Sequence, residues 1–420
     1  MRRVLASVVV GLVGSSLVLG ADWTQFRGPG GLGRSDDASV PLKWSSTENL
    51  IWKTDLPGLG SSSPIILGDR VFVTCYTGYG LSERDPGEME NLARHVVCVD
   101  RKEGKILWTK EYKSEGRESN YSGNGARHGF SSSTPTTDGE RLYVSFGKAG
   151  VFAFDLEGNE LWHTGVGDDT TGWGSSNSPV LYKNLVIINA SIESSSLVAL
   201  DKETGKEVWR TGRIQRSWNT PVLVDVAGGQ TELVVSIKDW ILGFDPASGS
   251  ELWRAEGIHD YVCPSVVANE GVIYAIGGRQ NTATAIKAGG RGDVTETHVV
   301  WRTNKGSNVS SPVYHDGHLY WVHEGQGAVL CLSATTGEVA FQERLQPRPG
   351  TVYSSVLLAG GRLYATSQNN GTFVIAAKPE FELLAQNKFD EDARANACPA
   401  VSNGQLFLRN DKCLYCVGTK

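Results

Sequence analysis

The sequence predicts an all-β fold, an eight-bladed β-propeller of four-stranded antiparallel blades closed by pairing its N- and C-terminal segments in one blade. Three observations carry that expectation. A strand–turn–strand phrase ending in tryptophan recurs along the chain. A second phrase, opened by Ser-Pro or Thr-Pro and followed by a Gly turn, recurs at intervals of roughly 35 to 70 residues, the period of a propeller blade. The first outer strand has no opening phrase before it, and the last opening has no outer strand after it.

The closing phrase is clearest in ALDKETGKEVW, Ala199 to Trp209, and recurs in CVDRKEGKILW (Cys98 to Trp108), AFDLEGNELW (Ala153 to Trp162) and GFDPASGSELW (Gly243 to Trp253). The Asp–Gly spacing makes a tight turn in which the carboxylate accepts turn N–H groups and Gly takes a positive φ. The tryptophan then falls on the outer strand, where its large apolar face seals one blade against the next. Trp52, Trp108, Trp162, Trp209, Trp253 and Trp301 are expected to serve as blade-docking residues. Lys53, Lys110, Arg210, Arg254 and Arg302 lie beside them and discourage edge-to-edge pairing of the outer strands.

The opening phrase falls at Pro64, Pro135, Pro179, Pro221, Pro264, Pro312 and Pro399, with Val356 at the remaining place. Proline is tolerated there because the innermost strand is a sheet edge, where a missing N–H breaks no ladder bond. NLIWKTDLPG, Asn49 to Gly58, reads as an outer strand without an opening, and the C-terminal repeat from Pro399 to Cys416 has inner strands without an outer one. The two halves make one blade. The expected layout is a signal peptide at 1–20, an N-terminal extension at 21–48 and one propeller at 49–420.

Arg2 and Arg3 precede an apolar run, Val4 to Leu19, and a small-residue segment before Asp22, the pattern of a cleavable secretory signal. An exported chain, periplasmic or at the cell surface, is expected, with no stable membrane insertion. The net charge of −6 disfavours nucleic-acid binding. A monomer is expected.

Seven cysteines in an exported chain invite a disulfide or metal reading, and Cys413-x-x-Cys416 has ligand-like spacing. The repeat register favours packing: Cys98, Cys331 and Cys416 share the third-strand place of Ala153, Ala199 and Gly243, and Cys263 and Cys398 take the place before the blade proline, with Ser63, Thr134, Ser178, Thr220 and Ser311. A Cys75–Cys98 cross-strand disulfide stays open. HDGHLYWVH, with His315, His318 and His323, reads as an ordinary hairpin, with His318 where Arg70, Arg141 and Arg362 stand in other blades. Arg291-Gly292-Asp293 reads as turn chemistry. No metal site is assigned. There is no nucleophile elbow, His-Glu-x-x-His helix or phosphate loop, and no catalytic residue is assigned.

The departures from the repeat are better candidates. Thr77 to His95 and Lys110 to Phe130 are long, polar insertions on one face, carrying Tyr112, Arg117, Tyr121 and Arg127. Near the channel mouth on that face, Arg127, His128, Trp173, Arg216, Trp218, His259, Asp260, Tyr261, Asn308, Tyr353, Arg394 and Asn396 form the expected ligand or partner site.

ALDKETGKEVW closely resembles the tryptophan-docking repeat of pyrroloquinoline-quinone (PQQ) dehydrogenases, and DWTQFRGPGGLG, Asp22 to Gly33, resembles the opening of secreted bacterial PQQ-like repeat proteins. The resemblance covers almost everything after the signal and implies the PQQ-like propeller superfamily, which also includes the cofactor-free scaffold BamB. It leaves three functions open: a noncatalytic exported binding scaffold acting through one face and the channel mouth, a quinoprotein dehydrogenase holding PQQ and calcium and oxidising an alcohol or sugar, and a carbohydrate-binding propeller. The dehydrogenases carry a pair of adjacent cysteines beneath the quinone. This chain has none, so the scaffold, without a cofactor and with a protein or small polar ligand as partner, is the leading expectation.

Overall fold

The computed structural model describes residues 22–113, 118–123 and 125–419; the expected signal at 1–20 and Arg117 lie outside them. Among the described residues the strands form eight antiparallel blades, numbered here in chain order: 65–113, 136–164, 180–212, 222–256, 267–303, 313–344, 357–387, and an eighth made of 400–417 with 50–55. The third blade shows why. Leu185–Ala190 and Ser196–Asp201 carry near-continuous apolar or small residues and are buried on both faces, whereas Glu207–Gly212 is largely exposed except at Trp209. The middle strands are sandwiched between neighbouring blades, and the outer strand meets solvent. The seam lies where the two half-repeats meet: Leu50–Asp55 pairs antiparallel with Cys413–Val417, Trp52 opposite Cys416.

Five tryptophans dock as the repeat implies. Each lies on the next blade's turn into Gly, opened by Asp in four cases and by Ser333 in the fifth, and its Nε1 donates to a carbonyl there: Trp52 to Arg101 (2.7 Å), Trp108 to Leu156 (3.1 Å), Trp162 to Lys202 (3.0 Å), Trp209 to Pro246 (3.2 Å) and Trp301 to Ala334 (2.9 Å). The turn glycine is required by contact as well as by φ, since a Cβ on Gly205 would come within 2.6 Å of the Trp162 ring. Trp253 departs from its expected role. Blade 5 lacks the Asp-to-Gly turn and instead inserts 288–298, whose Gly292–Asp293 pairs in parallel with Trp253 and Arg254. Trp253 turns into its own blade, against Gly243, and donates to buried Glu232 (2.7 Å), which also accepts from Gly289 N and pairs with Arg291. Gly292 and Asp293 of the Arg-Gly-Asp tripeptide thus form a short strand that covers a sheet edge, with Arg291 just before it.

The inner ends of the blades are joined by a closed circle of hydrogen bonds. The backbone N–H of Ser63 donates to the hydroxyl of Thr134, Thr134 to Ser178, Ser178 to Thr220, Thr220 to Ser265, Ser265 to Ser311, Ser311 to Ser355, Ser355 to the Cys398 sulfur, and Cys398 back to Ser63, at 2.9 to 3.2 Å. This circle corrects the register of blade 5. Ser265, not Cys263, holds the place of Ser63, and Val266, not Pro264, precedes the inner strand Val267–Asn269. The places of Cys98, Cys331 and Cys416, each opposite an outer-strand aromatic, agree with the repeat. A Cys75–Cys98 disulfide is ruled out by register. Cys75 lies opposite His95 and Cys98 opposite Phe72, and the two enter different core clusters.

The segment expected as an extension is built into the ring. Trp23 exchanges backbone bonds with Ile66 of blade 1, Thr24 accepts from Thr137 of blade 2, Arg27 donates to the Pro312 carbonyl of blade 6, Arg34–Ser35 pairs in parallel with the inner strand of blade 7, and Asp37 accepts from Gly404 of blade 8. These contacts lie beyond the hydroxyl circle, toward the turns that follow the inner strands, so the segment plugs that end of the channel. Arg27 is fully buried with φ of 60°, and burial lowers its pKa to about 10.

Beside the mouth, Glu193 is buried, accepts the Ser175 hydroxyl and has Glu118 as its charged neighbour; burial pushes its carboxyl up to about 6. The folded chain therefore holds this proton more tightly than the unfolded chain, where the group titrates near 4.5. Stability present below pH 4.5 is lost as pH rises through 6. Glu193→Gln is expected to stabilise the chain by about 2 kcal/mol above pH 6, with no gain at pH 4.5. Urea unfolding at both pH values checks this, and an equal gain at both would rule out titration as the cause.

Candidate functional site

The strand period builds the site. Approaching the hydroxyl circle, alternate residues face the channel. The residue just before each circle position, such as Ser62, Asn177, Asn219 or Ser354, is buried in the ring wall. The residue two before it faces the lumen: Ser61, Ser132, Ser176, Trp218, Cys263, Val309, Tyr353 and Asn396, one from each blade entry. With the circle residues below them and Phe26 of the plug as floor, they enclose a cup of about 360 Å³, open at the mouth.

Eight of the twelve mouth residues expected from sequence line this cup: Arg127, His128, Trp173, Trp218, Tyr261, Asn308, Tyr353 and Asn396. The other four do not. Arg216 is exposed, His259 is exposed and bonded to Asp239, Asp260 accepts the backbone N–H groups of Tyr261 and Arg279, and Arg394 turns away to Asp411 and the Ala126 carbonyl. Phe26, Ser61, Ser132, Ser176, Cys263, Val309 and Glu324 were not anticipated. The place two before each Ser or Thr of the circle would have revealed four of them, Ser61, Ser132, Ser176 and Val309; Cys263 follows only from the register that Ser265 sets, and nothing in the repeat points to Phe26 or Glu324.

One wall is aromatic. The Trp173 ring lies 4.9 Å from Trp218 and 4.6 Å, edge to face, from Tyr261, and the Trp218 Nε1 donates to the Gly174 carbonyl. The adjoining wall is set by the insertions. Tyr76, Tyr79, Tyr121 and Phe130 pack into a small core of their own, which holds the short helix Gly125–His128 at the mouth. The strands Arg70–Thr77 and Ala93–Asp100 extend into the first insertion, so its loop is only 78–92. Arg127 reaches over the opening to the Tyr353 hydroxyl (2.8 Å), and Asn396 donates to the Arg127 carbonyl. His128 is held at both ring nitrogens, by Ser132 and the Trp173 carbonyl, and burial lowers its pKa, so it is neutral at pH 7. Glu324 accepts from the Ser307 hydroxyl and the Asn308 N–H. Burial pushes the Cys263 thiol up to about 12, which leaves it protonated and a poor nucleophile.

The family model described as outer membrane protein assembly factor BamB matches residues 89–211, 193–291 and 238–381, which together span more than half of the chain. The chain belongs to this PQQ-like propeller family. No curated protein matches it by sequence. Among solved structures, this family member is similar to quinohemoprotein alcohol dehydrogenase from Comamonas testosteroni (11% identity, 95% of this chain and 81% of that one, TM-score 0.64) and to BamB from Moraxella catarrhalis (16%, 74% and 81%, 0.51). It is also similar to a europium-containing methanol dehydrogenase (11%, 95% and 98%, 0.51). At these identities the likeness shows the fold.

The cup does not fit a PQQ–calcium pair. A calcium ion takes six to eight oxygens, several from carboxylates. The cup wall offers one carboxylate, Glu324, one of whose oxygens already accepts two donors. No group of three or more metal-ligating side chains occurs among the described residues. Cys263 stands on the wall without an adjacent cysteine.

Proposed function

We propose that this PQQ-like propeller is an exported, noncatalytic binding protein that seats a small polar ligand in the cup at its channel mouth. The observation that carries this reading is the blind cup itself. Its walls are fixed at every blade entry and its floor is a side chain of the chain's own plug, so a ligand enters and leaves by one mouth. The reading of export rests on the basic and apolar pattern of residues 2–19, and no described helix is long and apolar enough to cross a membrane.

The quinoprotein alternative makes a different prediction. After incubation with PQQ and calcium followed by desalting, the purified chain is expected to keep no quinone absorbance and to show no dye-linked alcohol oxidation. Stoichiometric retention with turnover would overturn the noncatalytic reading.

A further inference from the structure

The charge and chemistry of the cup restrict what it holds. Its only fully charged side chains are Arg127 and Glu324, one of each sign, and His128 is neutral. A phosphate or dicarboxylate would meet one guanidinium with no second cation and would share the wall with a carboxylate, a poor exchange for its hydration. A wholly apolar ligand would strand the amides and hydroxyls that make up much of the rest of the cup, at the cost of their water.

The two walls are complementary to one kind of molecule. Trp173, Trp218 and Tyr261 come from consecutive blade entries and brace one another, the two indoles tilted by 41° and Tyr261 standing edge-on to both, which makes a rigid apolar platform of angled rings with little side-chain entropy to lose. Around the rest of the cup, Asn396, Tyr353 and the small serines Ser61 and Ser132 supply donors and acceptors, while Asn308, whose Nδ2 donates to the Tyr261 hydroxyl (2.6 Å) and whose Oδ1 has no partner among the described residues, and Ser176, which donates to the Trp218 carbonyl (3.0 Å), put polar atoms at the platform's edge. A molecule with a C–H face and a rim of hydroxyls satisfies both walls. The cup, near the lower end of ligand-pocket volumes, suits one or two rings.

We propose that the ligand is a neutral carbohydrate, with one pyranose ring laid on the Trp173–Trp218–Tyr261 platform and its hydroxyls turned to the amide and serine wall. This rests on the reading of the cup as a ligand site. The test is isothermal titration calorimetry on the mature chain with glucose, galactose, mannose and N-acetylglucosamine, and with glucuronate and benzoate as anionic probes. At least one neutral sugar is expected to bind with one-to-one stoichiometry. Trp218→Ala is expected to weaken it by about tenfold or more, and Ser176→Trp, which fills the cup, to abolish it. Circular dichroism checks that Ser176→Trp is folded; if it is not, Trp218→Ala decides.

Binding of glucuronate or benzoate without any neutral sugar would overturn the carbohydrate class and leave the cup reading standing. Binding of no probe would overturn both. Sugar binding unchanged in the folded variants would place it elsewhere and overturn the proposal.

Discussion

Replacing Trp52 with alanine is expected to destabilise the protein by about 3–5 kcal/mol, the range for truncating a buried aromatic. Trp52 is 7% exposed, packs on Phe407 of its own blade and over Gly104 of blade 1, and caps the Arg101 carbonyl. Its loss leaves a cavity and an unpaired buried acceptor at the same place. It also lies at the seam, where the Arg101 guanidinium reaches the Ser402 carbonyl and the Gln405 side chain across the same gap. Trp108, half-buried at an ordinary blade junction, is the internal control. Denaturant midpoints for the two alanine variants measure the difference. If Trp52→Ala costs no more than Trp108→Ala, the seam is not the joint on which closure depends.

A chain lacking residues 22–37 is expected to keep its eight blades but to lose at least about 3 kcal/mol, because the buried side chain of Trp23 goes with the segment and apolar surface of the inner strands is uncovered. The readout specific to the plug is amide hydrogen exchange. Ile66, Thr137 and Leu358 donate their N–H groups to Trp23, Thr24 and Gly33, so these three amides should lose protection while mid-blade amides such as Val198 keep theirs. The same deletion removes Phe26 and opens the cup through its floor. Unchanged protection at the three amides would show that the inner strands do not depend on the plug.

The fold was legible because the blade is a local object. An Asp, a Gly and a Trp within eleven residues of Ala199–Trp209 specify a turn, its positive φ and the contact with a neighbour, and the pattern repeats. Errors entered where a local signal and the ring disagree. Pro264 looks like the blade proline, but the shared hydroxyl circle sets the register and places Ser265 and Val266 there. Trp253 reads like its counterparts, and only the missing turn in the next blade sends it inward to Glu232. The plug was illegible for a different reason: residues 22–37 pair with five different blades through contacts that share no period. For the cup, aromatic and charged side chains were found because they stand out, whereas Ser61, Ser132 and Ser176 are recognised only once the strand alternation is known.

The seam has a consequence for the order in which the molecule is made. Leu50–Asp55 finds its partner in Cys413–Val417, a separation of roughly 360 residues, so the entropic cost of closing that loop falls on the last contact to form. Until the eighth blade is complete, Trp52 has no Phe407 to pack on and its strand has no partner. A ring sealed in this way cannot mature blade by blade to the end. Its earliest-synthesised segment is among the last to come to rest, which makes the interval before closure the period of greatest exposure to aggregation and proteolysis.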